Sequence, residues 1–285
     1  MATVTAPGAA SSAPKIQKRP SGPIRWIRSH IIPILGIGVL FYMFLPIFVV
    51  VVMSFNDPAG RYNYTWNHFS TDAWTNFCGV AGMCDSLMLS LFIGVVATAG
   101  AVVLGTLVAF AIGRFSFRGR ASSNLLVFMP MATPEVVMGS SLLTLFVALS
   151  FATGITTILI AHIMFCLSFV VVTVKARIAS LDPRLEQAAM DLYADENTTF
   201  WRVTFPQVLP GIVGASLLAF SLSFDDFIIT NFNSGSSVTF PMFVWGSAQR
   251  GTPPQINVVG SLMFFISLGI VLLGQVLQRR RAKKA

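Results

Sequence analysis

Three carboxylates, Glu135, Asp225 and Asp226, stand inside long apolar stretches that contain no lysine or arginine. An ionised side chain at the centre of a bilayer costs roughly 2.5 to 3.5 kcal/mol on insertion scales, so acidic residues kept there need a partner. Four kinds are on offer: another chain, water, hydrogen-bond donors such as Ser223 and Thr230, or a cation in transit. Phe224, Phe227 and Phe232 flank the aspartates, and aromatic faces attract cations. The chemistry of this group is electrostatic, the reception of a positive solute, with no covalent catalysis and no metal site expected. A plainer reading stands beside it, in which one aspartate caps a helix break and the rings simply pack. His162 is the one imidazole inside an apolar stretch, and a hydrogen-bonded packing role suits it better than proton transfer.

The elements that must carry these residues follow from composition. Of 285 residues, 54% are hydrophobic and 11% charged, far from the balance of a soluble domain. Six apolar runs, at about 31–54, 86–112, 123–150, 154–174, 209–232 and 256–277, are each long enough to cross a hydrocarbon core of about 30 Å as a helix. None alternates with period two, and backbone polar groups cannot stay unsatisfied in lipid, so the expected class is an all-α integral membrane protein. All but two of the 19 Lys and Arg residues fall in the tails and in the loops after the second and fourth runs; only Arg61 and Arg250 lie on the other side. That asymmetry places both termini in the cytoplasm. The net charge of +8 is spread over short loops and tails, so it orients the chain and does not bind nucleic acid.

Residues 1–28, led by an Ala-, Ser-, Pro- and Lys-rich stretch, are expected as a disordered cytoplasmic tail, and 279–285 as a basic one. The first run is too long for a cleaved signal segment and is expected to stay as an anchor. Pro130 and Pro134 interrupt the third run, which should kink or unwind there and leave Glu135 near mid-membrane. In the outer loop of about 55–85, Tyr64, Trp66 and Trp74 suit the membrane interface. Cys78 and Cys84 have a spacing that fits a bridge clipping this loop in an oxidising space, and equally two free thiols. Cys166, inside a run, is expected to pack.

The inner loop at 175–208 holds the longest mixed-charge stretch. Asp182 before Pro183 is an N-cap followed by a first-turn proline, so a helix starts there and puts Leu185, Ala189 and Leu192 on one face. Asp195 starts a second short helix through Phe200 and Val203, which Pro206 and Pro210 should end before the next span. Asp182, Glu186, Asp191, Asp195 and Glu196 outnumber Arg184 and Arg202, so the loop is poorly suited to anionic headgroups and reads as a docking element.

The run "EQAAMDLYA", with Phe200, Val203, Pro206 and "PGI" after it, resembles the EAA loop of the membrane subunits of binding-protein-dependent ABC importers. The resemblance implies a coupling helix that docks on an ATP-hydrolysing subunit through Glu186, Gln187, Ala188, Ala189, Asp191, Leu192 and Tyr193. Two positions depart from the pattern: Gln187 stands where Glu is usual, and Tyr193 where Gly is usual. Glu186 lies about 100° around the helix from Gln187, so it does not replace the missing carboxylate. A tyrosine at that turn must avoid positive φ or accept strain.

"FMPMATPEVVMGSSLLTLF", "SLSFDDFIITNFNSG" and "TFPMFVWGSAQRGTPPQINVVGS" resemble the PotC-type permease of spermidine/putrescine importers. That family implies the six-helix, type I (MetI-like) importer fold over 29–278 in a bacterial plasma membrane. Its implied partners are a second permease, two ATP-binding subunits and a soluble polyamine-binding protein. With no G-x-x-x-x-G-K-[ST] loop here, ATP and Mg are expected on the partner and no cofactor on this chain. A polyamine path needs spaced carboxylates and aromatic walls, which Asp225, Asp226, Glu135, Phe224 and Phe227 would supply. The rivals are the same machine with another small solute, and a proton-coupled carrier using Asp225, Asp226 and His162. The carrier would show inverted repeats of broken helices, which the sequence does not display.

Overall fold

The computed structural model describes residues 23–282, with side chains from 30 to 276 except those of 271 and 275. Residues 1–22 and 283–285 lie outside the described residues, and with them most of the expected tail at 1–28 and the end of the basic tail. The chain opens with α1 (Pro23–Met53), an antiparallel pair of short strands β1 (Asn56–Asp57) and β2 (His68–Phe69), and α2 (Asp72–Thr75). Next come α3 (Met83–Arg114), α4 (Arg120–Ala132), α5 (Glu135–Ala148) and α6 (Ile155–Ala179). A loop carrying α7 (Pro183–Asp191) and α8 (Glu196–Thr199) leads through a π-helical stretch (Phe200–Thr204) into α9 (Phe205–Asp225). The chain then runs through α10 (Ile228–Asn233), α11 (Phe240–Arg250) and α12 (Pro254–Ala282).

Among the described residues, five helical runs are long and apolar enough to cross a membrane, and α4 with α5, meeting at 107°, make a sixth if they form one broken span. Lipid tails give helices no hydrophobic reason to associate, so close packing of small residues must hold them. That is the construction at the centre, where α3, α6 and α9 pack on one another. Ala97, Ala101, Gly105 and Ala109, one per turn of α3, are buried, and Ala215, Ala219 and Ser223 repeat the pattern on α9. At Gly105 a Cβ would sit 2.7 Å from Cγ1 of Val170, so only glycine lets α3 and α6 approach this closely. By contrast, α1 pairs with α12 at the edge and exposes most of its apolar side chains, as a lipid-facing helix can.

At the other end of α3 from α7, a polar network lies beside a small apolar cluster of Met83, Phe240, Ile256 and Val259. Asn56 Nδ2 donates to Asn63 Oδ1 at 2.6 Å and to the Thr65 carbonyl at 2.8 Å, and Asn63 Nδ2 donates to the Met53 carbonyl at 2.7 Å. Cys78 and Cys84 are joined as a disulfide with their Cα atoms 5.4 Å apart. Trp74 is fixed by packing: its ring stacks on Phe55 and its Nε1 donates to Ser54 Oγ at 3.1 Å.

The third apolar run breaks at Pro134 alone; Pro130, expected to interrupt it as well, is accommodated inside α4. Thr133 and Pro134 take extended backbone between α4 and α5, since Pro134 has no N–H to continue the ladder. Four expected boundaries are corrected. The helix of the first run starts at Pro23, inside the expected tail. The loop is narrower than 175–208, because α6 continues to Ala179 and helical backbone resumes at Glu196. Pro206 and Pro210 do not end a helix; Pro206 lies in the first turn of α9, directly after the π-helical stretch, and Pro210 is accommodated inside the same helix. The fifth run is not one helix over 209–232, because α9 stops at Asp225 and α10 begins at Ile228.

Candidate functional site

Local capping builds the loop. Asp182 Oδ1 accepts from the Arg184 N–H at 3.0 Å and starts α7; Asp195 Oδ1 accepts from the Thr198 N–H at 3.1 Å and starts α8. Glu186 then turns toward the bundle. Its Oε2 accepts from Arg114 Nη1 at 2.9 Å, while its Oε1 accepts from Arg114 Nη2 and from the Thr204 hydroxyl. One carboxylate thereby ties α7 to the end of α3 and to the π-helical stretch before α9. Arg114 foremost, with Thr204, holds the Glu186 carboxyl below its ordinary range against the opposing effect of burial. Beside the clasp lies a cavity of about 440 Å³ lined by Leu107, Phe110, Met190 and Phe200.

The rest of α7 faces outward. Gln187, Ala188 and Asp191 are exposed, Ala189 is half-buried, and Leu192 is 81% exposed. Tyr193 is fully exposed at φ 64°, the left-handed conformation that glycine adopts freely and tyrosine does not. Of the seven expected coupling residues, the structure keeps six on or near an open surface and commits Glu186 to an internal clasp.

The three carboxylates of the apolar runs separate just as sharply. Asp226 is buried at the gap between α9 and α10, where its carboxylate accepts from the Thr230 N–H at 2.8 Å, the Ile229 N–H at 3.3 Å and the Thr230 hydroxyl at 2.8 Å. His162 Nε2 lies 3.3 Å from the same carboxylate. Asp225 is exposed and makes no ion pair with any described residue. It closes α9, where the negative end of the helix dipole disfavours a carboxylate. Glu135 is exposed too, in the first turn of α5, where the dipole favours it. Exposed Ser221 lies one turn before Asp225, and exposed Ser141, Thr144 and Asn231 add polar groups on α5 and α10. Phe224 packs between Phe220 and Phe240, and Phe227 lies 5.4 Å from the Trp245 ring. Two partners lie beyond what sequence reasoning had assigned: Arg114, for which no local signal exists, and the hydroxyl of Thr204.

The described residues form a helical bundle with a capped helical loop at one end and a disulfide-clipped loop at the other. The chain belongs to the family of binding-protein-dependent transport system inner membrane components, whose model matches residues 101–284. It is 33% identical over 240 residues to the spermidine/putrescine transport system permease protein PotC of Haemophilus influenzae, across 84% of this chain and 93% of that one. It is 37% identical over 238 residues to the putrescine transport system permease protein PotI of Escherichia coli strain K12, across 81% and 84%. In fold it resembles a chain of a bacterial ABC transporter involved in the import of the acidic polysaccharide alginate, with TM-score 0.65 and 16% identity over 92% of this chain and 99% of the other. The expected MetI-like permease fold is what the chain adopts, and it is a multi-pass protein of the inner membrane.

Proposed function

We propose that this chain is a membrane subunit of an ATP-driven polyamine importer, forming part of the translocation path and coupled through α7 to a separate ATP-hydrolysing subunit. In this reading the termini and α7 are cytoplasmic, residues 29–278 are the permease domain, and ATP and Mg belong to the partner. A second permease, two ATP-binding subunits and a soluble polyamine-binding protein complete the assembly.

Asp225 carries the reading. It is an exposed carboxylate without an ion-pair partner among the described residues, at the helix end where its charge is least welcome. A cation from outside the chain would offset that charge. Exposed Ser221 and Glu135 supply further polar surface, and half-buried Phe224 and Phe227 supply ring faces. A polyamine, with ammonium groups spaced by methylenes, matches acidic points set among apolar walls, and relatives a third identical are named for spermidine and putrescine. At the other face, exposed Leu192 and Tyr193 leave an apolar knob for a partner to cover. The test is uptake of labelled putrescine and spermidine into vesicles holding the assembly and the binding protein. ATP-dependent accumulation of either is expected; none, with another solute accumulated instead, would overturn the cargo assignment.

A further inference from the structure

We propose that His162 is a positioning residue for transport: from α6 it grips both flanks of the gap between α9 and α10, and so holds the turn that faces Asp225 outward while Asp226 faces in. The proposal rests on the reading of Asp225 as a path residue.

Neighbouring aspartates of identical chemistry meet opposite environments here, one exposed and one buried. His162 is buried beside them. Its Nδ1 lies 2.7 Å from Ser223 Oγ, in the last turn of α9, and its Nε2 lies 2.8 Å from Thr230 Oγ1, in α10. The carboxylate accepts, so Thr230 donates its hydroxyl proton to Asp226 and its Oγ1 is left to accept from His162 Nε2–H, while His162 Nδ1 is hydrogen-bonded to Ser223 Oγ.

No other side chain from outside the gap, among the described residues, bonds to both of its flanks. The far end of α10 is fastened separately. Thr157 Oγ1 donates to the Asn233 carbonyl at 2.7 Å, and Asn233 Nδ2 donates to the Gly139 carbonyl at 3.3 Å. Gly139 permits that contact, since a Cβ there would lie 2.9 Å from the Phe232 ring. With that end fixed, loss of the imidazole removes the tie between the two flanks of the gap, beside Asp225 at the end of α9 and Phe227 before α10.

The test is made in the full assembly, reconstituted with its partner subunits in lipid vesicles. Asp225→Cys is introduced, and its modification by a small, water-soluble cationic thiol reagent is timed with His162 intact and with His162→Leu, His162→Gln and His162→Asn. The same chain without Asp225→Cys gives the background, which is low because Cys78 and Cys84 are bonded and Cys166 is buried. With His162 intact, labelling well above background is expected. His162→Leu, which fills the space and removes two buried hydrogen bonds, is expected to slow labelling about tenfold. Glutamine, whose amide nitrogen reaches the Nε2 position and so keeps the α10 flank, should recover most of that rate. Asparagine, reaching only the Nδ1 position, should recover less.

Labelling of His162→Leu at the parental rate in an intact assembly overturns the proposal and leaves Asp225 in the path. Absence of labelling with His162 intact overturns the path reading, and this proposal with it. If His162→Leu does not assemble, the other two variants decide. The graded order of intact, glutamine and asparagine supports the role, and equal rates in all three overturn it.

Discussion

Glu186→Gln is expected to uncouple solute movement from ATP hydrolysis while leaving the subunit folded. Arg114 and Glu186 form a bidentate, charge-assisted pair whose side chains are 31% and 21% exposed. Exposed pairs are worth up to about 1 kcal/mol, and hydrogen bonds to charged groups about 1.5 to 3 kcal/mol when shielded. For this half-shielded pair, with solvent screening, about 1 kcal/mol is a fair value, or about fivefold in the equilibrium between clasped and released α7. Glutamine still offers one carbonyl, to Arg114 Nη2 and Thr204, while its amide faces the Arg114 Nη1 donor, whose lost acceptor solvent replaces at this partly exposed pair.

The assay is solute accumulated per ATP hydrolysed by the reconstituted assembly. That ratio should fall about fivefold while hydrolysis continues. An unchanged ratio would refute the reasoning, and equal losses of uptake and hydrolysis would point to lost docking. The pH dependence has a definite sign. Arg114, with Thr204, lowers the folded carboxyl below its ordinary value of 4.5, so the clasp contributes fully above that value and is lost as pH falls through the lower folded one. Wild type and Glu186→Gln should therefore differ at neutral pH and converge only in acid below 4.5.

Gly105→Ala should loosen the centre, since the new Cβ would meet Cγ1 of Val170 at 2.7 Å and a β-branched neighbour yields poorly. Overpacking of this kind costs about 1 to 3 kcal/mol, read as a lower Tm in detergent, and an unchanged Tm would contradict it. Tyr193→Gly relieves a left-handed tyrosine at φ 64° and should stabilise the loop by about 1 kcal/mol without loss of transport; loss of the ATPase from a pull-down would show instead that the ring is a docking contact. Asp226→Asn exchanges an acceptor oxygen for an amide facing other donors, so it should reduce assembly yield, at a cost of about 2 kcal/mol, while Asp225→Asn assembles as wild type. Equal yields from the two would contradict the division between them.

Local signals were legible and distant ones were not. Asp182 before Pro183 and Asp195 three residues before Thr198 act within one turn, so their caps could be read directly and occur as read. Pro134 broke its helix for an equally local reason, the missing N–H. The gap after Asp225 has no proline or glycine to announce it. It is held by Asp226 and by His162, a residue of another helix. Nor could the division of labour between the two aspartates be read, because it depends on which of them the imidazole reaches. Pro206 misled because it follows a π-helical stretch at the first turn of α9, where its missing N–H is tolerated, and Pro210 is simply accommodated inside the same helix. The clasp joins positions 72 apart, a distance at which no spacing rule operates.

The most direct test of the central claim is polyamine uptake and ATP hydrolysis by the purified assembly in lipid vesicles, wild type against Asp225→Asn. Asparagine keeps the size and polarity of the side chain and removes its charge, so assembly, binding-protein docking and basal hydrolysis should persist while uptake falls about tenfold, the loss of one charged contact to the passing cation. Uptake at the wild-type rate would show that no cation is received at Asp225 and would contradict the account.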